Sequence, residues 1–157
     1  MIKYVPELTD IVIEEIPDKL TLAVEISNCQ GSCVGCHSPF LKNDIGEELT
    51  ESAVNSLFRS NFGVNCFLFL GEGKDRKALL DIAGYIRRQY PSVELALYSG
   101  REVVEDEVFE VFDYVKTGPY IAEYGPLNKE TTNQRLYYHR EDITSRFWNR
   151  GIEKKNQ

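Results

Sequence analysis

The sequence predicts an α/β protein built as an open, partial (βα) barrel with a mainly parallel sheet. Short apolar runs alternate with segments of helical periodicity, in the order strand, helix, strand, helix, strand, helix, strand. One of these runs, Val64 to Leu70, is apolar almost throughout, as a strand covered on both faces must be. The 157 residues hold too few such units for a complete eight-stranded barrel, which takes about 250.

Taken in order, Ile11 to Glu15 predicts a short strand, and Ile16-Pro17-Asp18-Lys19 a turn out of it. Thr21 to Ile26 is the next strand and runs straight into a stretch of small and polar residues. Thr50 is placed to cap a helix, because its hydroxyl can accept an N–H of the first turn, and Glu51 suits the positive end of the helix dipole. Val54, Leu57 and Phe58 fall at i, i+3 and i+4, which gives that helix one buried face, and Asn61-Phe62-Gly63 stops it. The strand Val64–Leu70 ends in Gly71-Glu72-Gly73. Asp75 then caps a helix with the inner face Leu79, Ile82, Ala83 and Ile86, closed by Pro91. Val93 to Tyr98 is a strand ending at Ser99-Gly100. Acidic residues from Glu102 to Glu110, interleaved with Val103, Val104, Val108 and Phe109, read as a short helix. Tyr114-Val115-Lys116 is a strand leading into Thr117-Gly118-Pro119, and Leu136-Tyr137-Tyr138 alternates like another. Gly151 to Gln157 reads as a solvated tail. With no repeat and no linker, one domain is expected over 1–157, with its core at about 11–148.

Apolar residues make up 42% of the chain, enough for a core in a domain that buries roughly two-thirds of its unfolded surface. No apolar run approaches the ~20 residues that span a bilayer, and the start of the chain lacks the apolar stretch of a secretion signal. A cytoplasmic protein is therefore expected. With 25 acidic residues against 18 basic, the net charge of −7 argues against a nucleic-acid surface.

Three of the four cysteines, Cys29, Cys33 and Cys36, follow the strand Thr21–Ile26 with the spacing C-x3-C-x2-C. Close spacing in a reducing compartment favours metal or redox chemistry over disulfides. A 4Fe–4S cluster normally takes four cysteines, so three thiolates leave one iron open to a non-protein ligand. The rival is a structural zinc completed by His37 or His139. Against it, adjacent Cys36 and His37 rarely bend onto one ion, and zinc sites usually pair their cysteines in two knuckles. Cys66, inside an apolar run, is expected to be an inert core cysteine. In sheets of this kind ligands bind beyond the carboxyl ends of the strands. The cysteine stretch, Gly71–Gly73, Ser99-Gly100 and Gly118-Pro119 all follow strands, so they should gather at one rim.

The cysteine spacing resembles the signature of the radical S-adenosylmethionine superfamily. Cys36-His37-Ser38-Pro39, Tyr98-Ser99-Gly100-Arg101, Gly118-Pro119-Tyr120, Thr131-Thr132-Asn133-Gln134-Arg135 and Arg146-Phe147-Trp148 look like segments of the activating enzymes of anaerobic ribonucleoside-triphosphate reductase. The resemblance runs from about Ile11 to Trp148 and implies the same partial barrel. It implies that Cys29, Cys33 and Cys36 hold a 4Fe–4S cluster whose fourth iron is chelated by S-adenosylmethionine. Reductive cleavage of that molecule would give a 5′-deoxyadenosyl radical, which takes hydrogen from a backbone glycine of the large reductase subunit. A flavodoxin-type electron donor is implied by the same analogy. Other small activases, such as one acting on a pyruvate formate-lyase-like partner, share these features. A zinc-stabilised interaction module is the alternative outside enzymes.

For the S-adenosylmethionine contacts, Gly35 matches the small residue that precedes the third cysteine in the subfamily. His37 stands where an aromatic residue is common, to stack on adenine or donate a hydrogen bond, or else is a plain loop histidine. The family's Gly-Gly-acid stretch, which binds the amino group, is altered here to Gly71-Glu72-Gly73. The backbone role then falls to Gly71 and the acid to Glu72 or Asp75, the plain alternative being a strand-to-helix turn. Ser99 and Gly100 would face the methionine or ribose part, or form a simple turn. Asn133, Gln134 and Arg135 would line that pocket or meet the partner.

Overall fold

The computed structural model describes residues 1–28, 41 and 43–148. In chain order the strands and helices are β1 (Lys3–Tyr4), β2 (Asp10–Val12), β3 (Thr21–Glu25), β4 (Glu47–Glu48), α1 (Glu51–Ser60), β5 (Cys66–Leu70), α2 (Arg76–Gln89), β6 (Glu94–Tyr98), α3 (Asp106–Val111), β7 (Tyr114–Thr117), β8 (Arg135–Tyr138) and β9 (Glu141–Asp142). The two caps expected from sequence are made. Thr50 accepts from the Ala53 N–H at 3.0 Å, and Asp75 from the Ala78 N–H at 3.0 Å. Helix α1 ends where Asn61 returns its backbone and side-chain N–H groups to the Leu57 carbonyl.

The expected partial barrel with a mainly parallel sheet is not what forms. Among the described residues the main sheet is open and mixed, in the order β2-β3-β5-β6-β7-β8-β9. Only the three central pairings, β3 with β5, β5 with β6 and β6 with β7, are parallel. The pairings of β2 with β3, β7 with β8, and β8 with β9 are antiparallel. The cause lies in the connections. A parallel neighbour needs a crossover, usually a helix, and α1, α2 and α3 supply one at each central step. Residues 118–134 contain no helix, so β8 comes back alongside β7 in the opposite sense. His139 and Arg140, both at positive φ, then turn the chain directly into β9.

The three helices cover one face. Val54 of α1, Leu79, Ile82 and Ile86 of α2, and Val108 of α3 pack on Leu22, Val24, Phe67, Phe69, Leu95 and Val115 of the sheet. On the other face Leu68 stands between Ala23 and Ala96, with Cys66 at the start of β5. This face is covered by Ile16, Ile143 and Phe147, the last from a helical turn at 145–148. Trp148 lies partly buried against this second layer and donates its indole N–H to the Leu127 carbonyl at 3.1 Å.

Cys66 opens β5 on the second face and has no exposure, as the sequence suggests. Burial pushes its thiol up to about 12. The thiolate is the reactive form, so native protein should leave Cys66 unlabelled by iodoacetamide at mildly alkaline pH, and denatured protein should label fully. Peptide mass mapping reads the difference, and rapid labelling in the native state would contradict this placement.

Candidate functional site

The parallel register sets the ends of the central strands level. Glu25, Leu70, Tyr98 and Lys116 form one cross-strand row on the second face of the sheet. The hydrogen-bond ladder runs one step past each end. Ile26 N–H donates to the Leu70 carbonyl at 3.1 Å, Gly71 N–H to Tyr98 at 3.1 Å, and Ser99 N–H to Lys116 at 2.8 Å. Gly71–Gly73, Ser99-Gly100 and Gly118-Pro119 therefore leave the sheet together and build a rim, as the sequence predicts; the cysteine stretch expected beside them lies outside the described residues.

Cys29, Cys33, Gly35, Cys36 and His37 lie outside the described residues. The chain departs towards them at Asn28, which is at φ 62° and 8% exposed. It is back at Asn43, whose carbonyl accepts the Asn28 N–H at 3.2 Å. The Asn28 side chain donates to Asp44 at 3.2 Å, and Lys3 pairs with Asp44 at 2.9 Å. Those contacts hold the Asp44 carboxyl below the usual carboxylate range, the Lys3 hydrogen bond first and the Asn28 one second. The cysteine-bearing stretch thus begins and ends at one pinned point beside the rim.

Gly71 and Gly73 both take positive φ, 112° and 68°. A Cβ on Gly73 would lie 3.3 Å from the Ile26 side chain and 3.5 Å from the Ser27 carbonyl; on Gly71 it would lie 3.5 Å from the Ile26 carbonyl. Glycine is used here for its conformation and for close approach to the end of β3. Glu72, between them, is well buried, with both carboxylate oxygens engaged. Ser99 Oγ donates to Oε2 at 2.7 Å, and Arg101 forks onto the pair with Nε at 2.9 Å and Nη2 at 2.6 Å. Ser99, fully buried, also accepts the Arg101 backbone N–H at 3.0 Å. Glu72 and Ser99 stand at the rim as expected, but they are committed to each other and to Arg101. Gly100 between them is exposed. Asp75, the alternative acid, caps α2 and pairs with the chain's terminal amine.

At the end of β7, Lys116 is 7% exposed, donates to the Gly118 carbonyl at 3.0 Å and lies 5.4 Å from the Tyr98 ring centre. Gln134 Nε2 reaches the same carbonyl at 3.3 Å, and Asn133 Nδ2 reaches that of Pro119 at 3.0 Å. Arg135 is turned elsewhere, over the Trp148 ring at 5.9 Å. The sequence singled out Asn133, Gln134 and Arg135 to line a pocket or meet a partner; it gave Arg101 only as part of the segment Tyr98–Arg101 and Lys116 only as a strand residue, with no role for either side chain.

A second group went unnoticed in the sequence because its members are far apart along the chain. Glu94, Asp113 and His139 offer ligand atoms within 4.8 Å of one another. It lies at the opposite end of the strands, where Glu94 opens β6. Its carboxylates are already satisfied. Lys19 at 2.6 Å and Tyr138 at 2.8 Å hold Glu94, while the Leu95 N–H at 2.9 Å and Arg87 at 3.3 Å hold Asp113. His139 bonds Asp113 at 3.2 Å. The group fastens the β8–β9 turn to the sheet. His139 thereby stands at the strand ends opposite Gly71–Gly73 and Ser99, bonded to Asp113.

Cys29, Cys33 and Cys36 are thiol donors, the ligand type that iron–sulfur clusters and zinc both take, and the residues on either side of their stretch, Asn28 and Asn43, are hydrogen-bonded to each other. No protein-family model, curated protein or solved structure matches this chain. Among the described residues no helix is long and apolar enough to cross a membrane.

Proposed function

We propose that the chain is a small activating enzyme of the radical S-adenosylmethionine class, acting on a backbone glycine of an anaerobic ribonucleoside-triphosphate reductase. The observation that carries the reading is the C-x3-C-x2-C set in a stretch that leaves and rejoins the fold at the Asn28–Asn43 contact. The reading does not rest on a barrel. It rests on that spacing and on three other strand-end segments gathered at the same end of the sheet as the close of β3.

Cys29, Cys33 and Cys36 would hold a 4Fe–4S cluster. Such a cluster, reduced by an external donor, would supply the one electron needed to cleave the sulfonium of a bound S-adenosylmethionine. The chain binds, orients and shields. Gly71 and Gly73 bring backbone rather than side chains up to Ile26 and Ser27 at the end of β3. Glu72 arrives with its charge already balanced by Arg101. Beneath the rim, Leu70 and Tyr98 close the sheet to water, and burial raises the Tyr98 hydroxyl so that it stays protonated. A flavodoxin-type donor and the large reductase subunit complete the proposed system, in a cytoplasmic setting.

The test is electron paramagnetic resonance on anaerobic, reduced protein mixed with S-adenosylmethionine and the reductase. A doublet from a glycyl radical, with 5′-deoxyadenosine formed alongside, is the expected result. A doublet only with a pyruvate formate-lyase-like protein would move the target within the class. No radical with any such partner, from protein carrying stoichiometric zinc, would remove the enzyme reading.

A further inference from the structure

We infer that Arg101 is a positioning residue for S-adenosylmethionine, acting through Glu72 to hold the Gly71–Gly73 segment against the end of β3. The inference rests on the functional reading above, and its argument is geometric. A segment with glycine on both sides has little conformational preference of its own, since each glycine populates positive and negative φ alike. Its only side chain is Glu72, so whatever fixes Glu72 fixes the segment. Arg101 does so with two parallel N–H groups, the arrangement in which a guanidinium matches a carboxylate in both position and plane.

Arg101 also ties the rim together. Its backbone N–H donates to Ser99 Oγ at the end of β6, and its carbonyl accepts the Gly118 N–H at 2.6 Å from the end of β7. Nη1 and Nη2 continue to Glu105 at 2.9 and 3.0 Å, ahead of α3. Arg76, in the first turn of α2, pairs with Glu105 and lies 3.6 Å from Glu72. Two arginines balance two glutamates, so the clamp needs no outside charge. The Arg101–Glu105 pair is open to solvent, at 36% and 45% exposed, and adds little to global stability, while Glu72, 13% exposed, keeps Ser99 and Arg76 as partners when Arg101 is lost. The effect of losing Arg101 is therefore local placement rather than unfolding.

Arg101→Gln tests this with two readouts. Hydrogen exchange should show the amides of residues 71–73 opening about tenfold faster while the core strands are unchanged. In the reduced, cluster-loaded protein the KM for S-adenosylmethionine should rise about tenfold with kcat within about twofold, the scale seen when an outer partner of a ligand-holding group is lost. Arg101→Lys keeps the charge but cannot fork across the carboxylate, so it should stay near the glutamine variant; Glu72→Gln should reproduce the same pattern. Unchanged exchange at 71–73, full recovery by lysine, or a fall in kcat with KM unaltered would overturn the role of Arg101 alone. Wild-type protein that forms no 5′-deoxyadenosine would overturn the functional reading, and the role of Arg101 with it.

Discussion

Cys33→Ala protein, purified without oxygen, is expected to be nearly colourless and to form no detectable 5′-deoxyadenosine from S-adenosylmethionine. A cubic cluster held by three thiolates has no protein ligand to spare, so removing the middle one leaves two and the cluster is lost. The matched control is Cys66→Ala. Cys66 is wholly buried on the second face, at the start of β5 between Thr21 and Glu94, in the same apolar cluster as Ile16 and Leu68. That variant should keep its colour and its iron while losing some stability from the small cavity. Iron assay and product chromatography on the two proteins side by side check both halves. Equal iron in Cys33→Ala and wild type would contradict the assignment.

Phe69→Ala should be the most damaging single change in the core, lowering unfolding free energy by about 3–5 kcal/mol. Phe69 has no exposed surface and lies one residue before the last of β5. Its ring meets Phe67 at 5.0 Å and stands edge-on to Phe112 at 5.7 Å, which joins the strand to the end of α3. Domains of this size are stable by only about 5–15 kcal/mol in all, so the loss is a large share. Urea titration followed by circular dichroism measures it. The cavity lies directly below the rim, so affinity for S-adenosylmethionine should fall as well. A loss under about 1 kcal/mol would mean that the layer of helices does not bear on the sheet as described.

What the sequence made legible was local chemistry. The Thr50 and Asp75 caps, the stripe Leu79-Ile82-Ala83-Ile86 and the buried run ending at Leu70 each depend on neighbours within a turn or two. All of them formed as expected. The sheet's outer strands were not legible in the same way. Whether β8 lies parallel or antiparallel to β7 depends on a connection that lacks a helix, and β2 is three residues long. Neither fact shows in apolar periodicity, and both turn an expected parallel barrel into an open mixed sheet. At the rim, spacing marked Glu72 and Ser99 but could not reveal that they bond to each other. Their contact joins residues 27 positions apart and exists only because β5 and β6 end level.

The account depends most directly on an iron that the polypeptide leaves uncoordinated. Reduced, anaerobic protein carrying about four irons per chain should show a cluster resonance that shifts when S-adenosylmethionine is added. A spectrum unchanged by saturating S-adenosylmethionine, or protein that binds zinc and no iron under iron-replete growth, would contradict it.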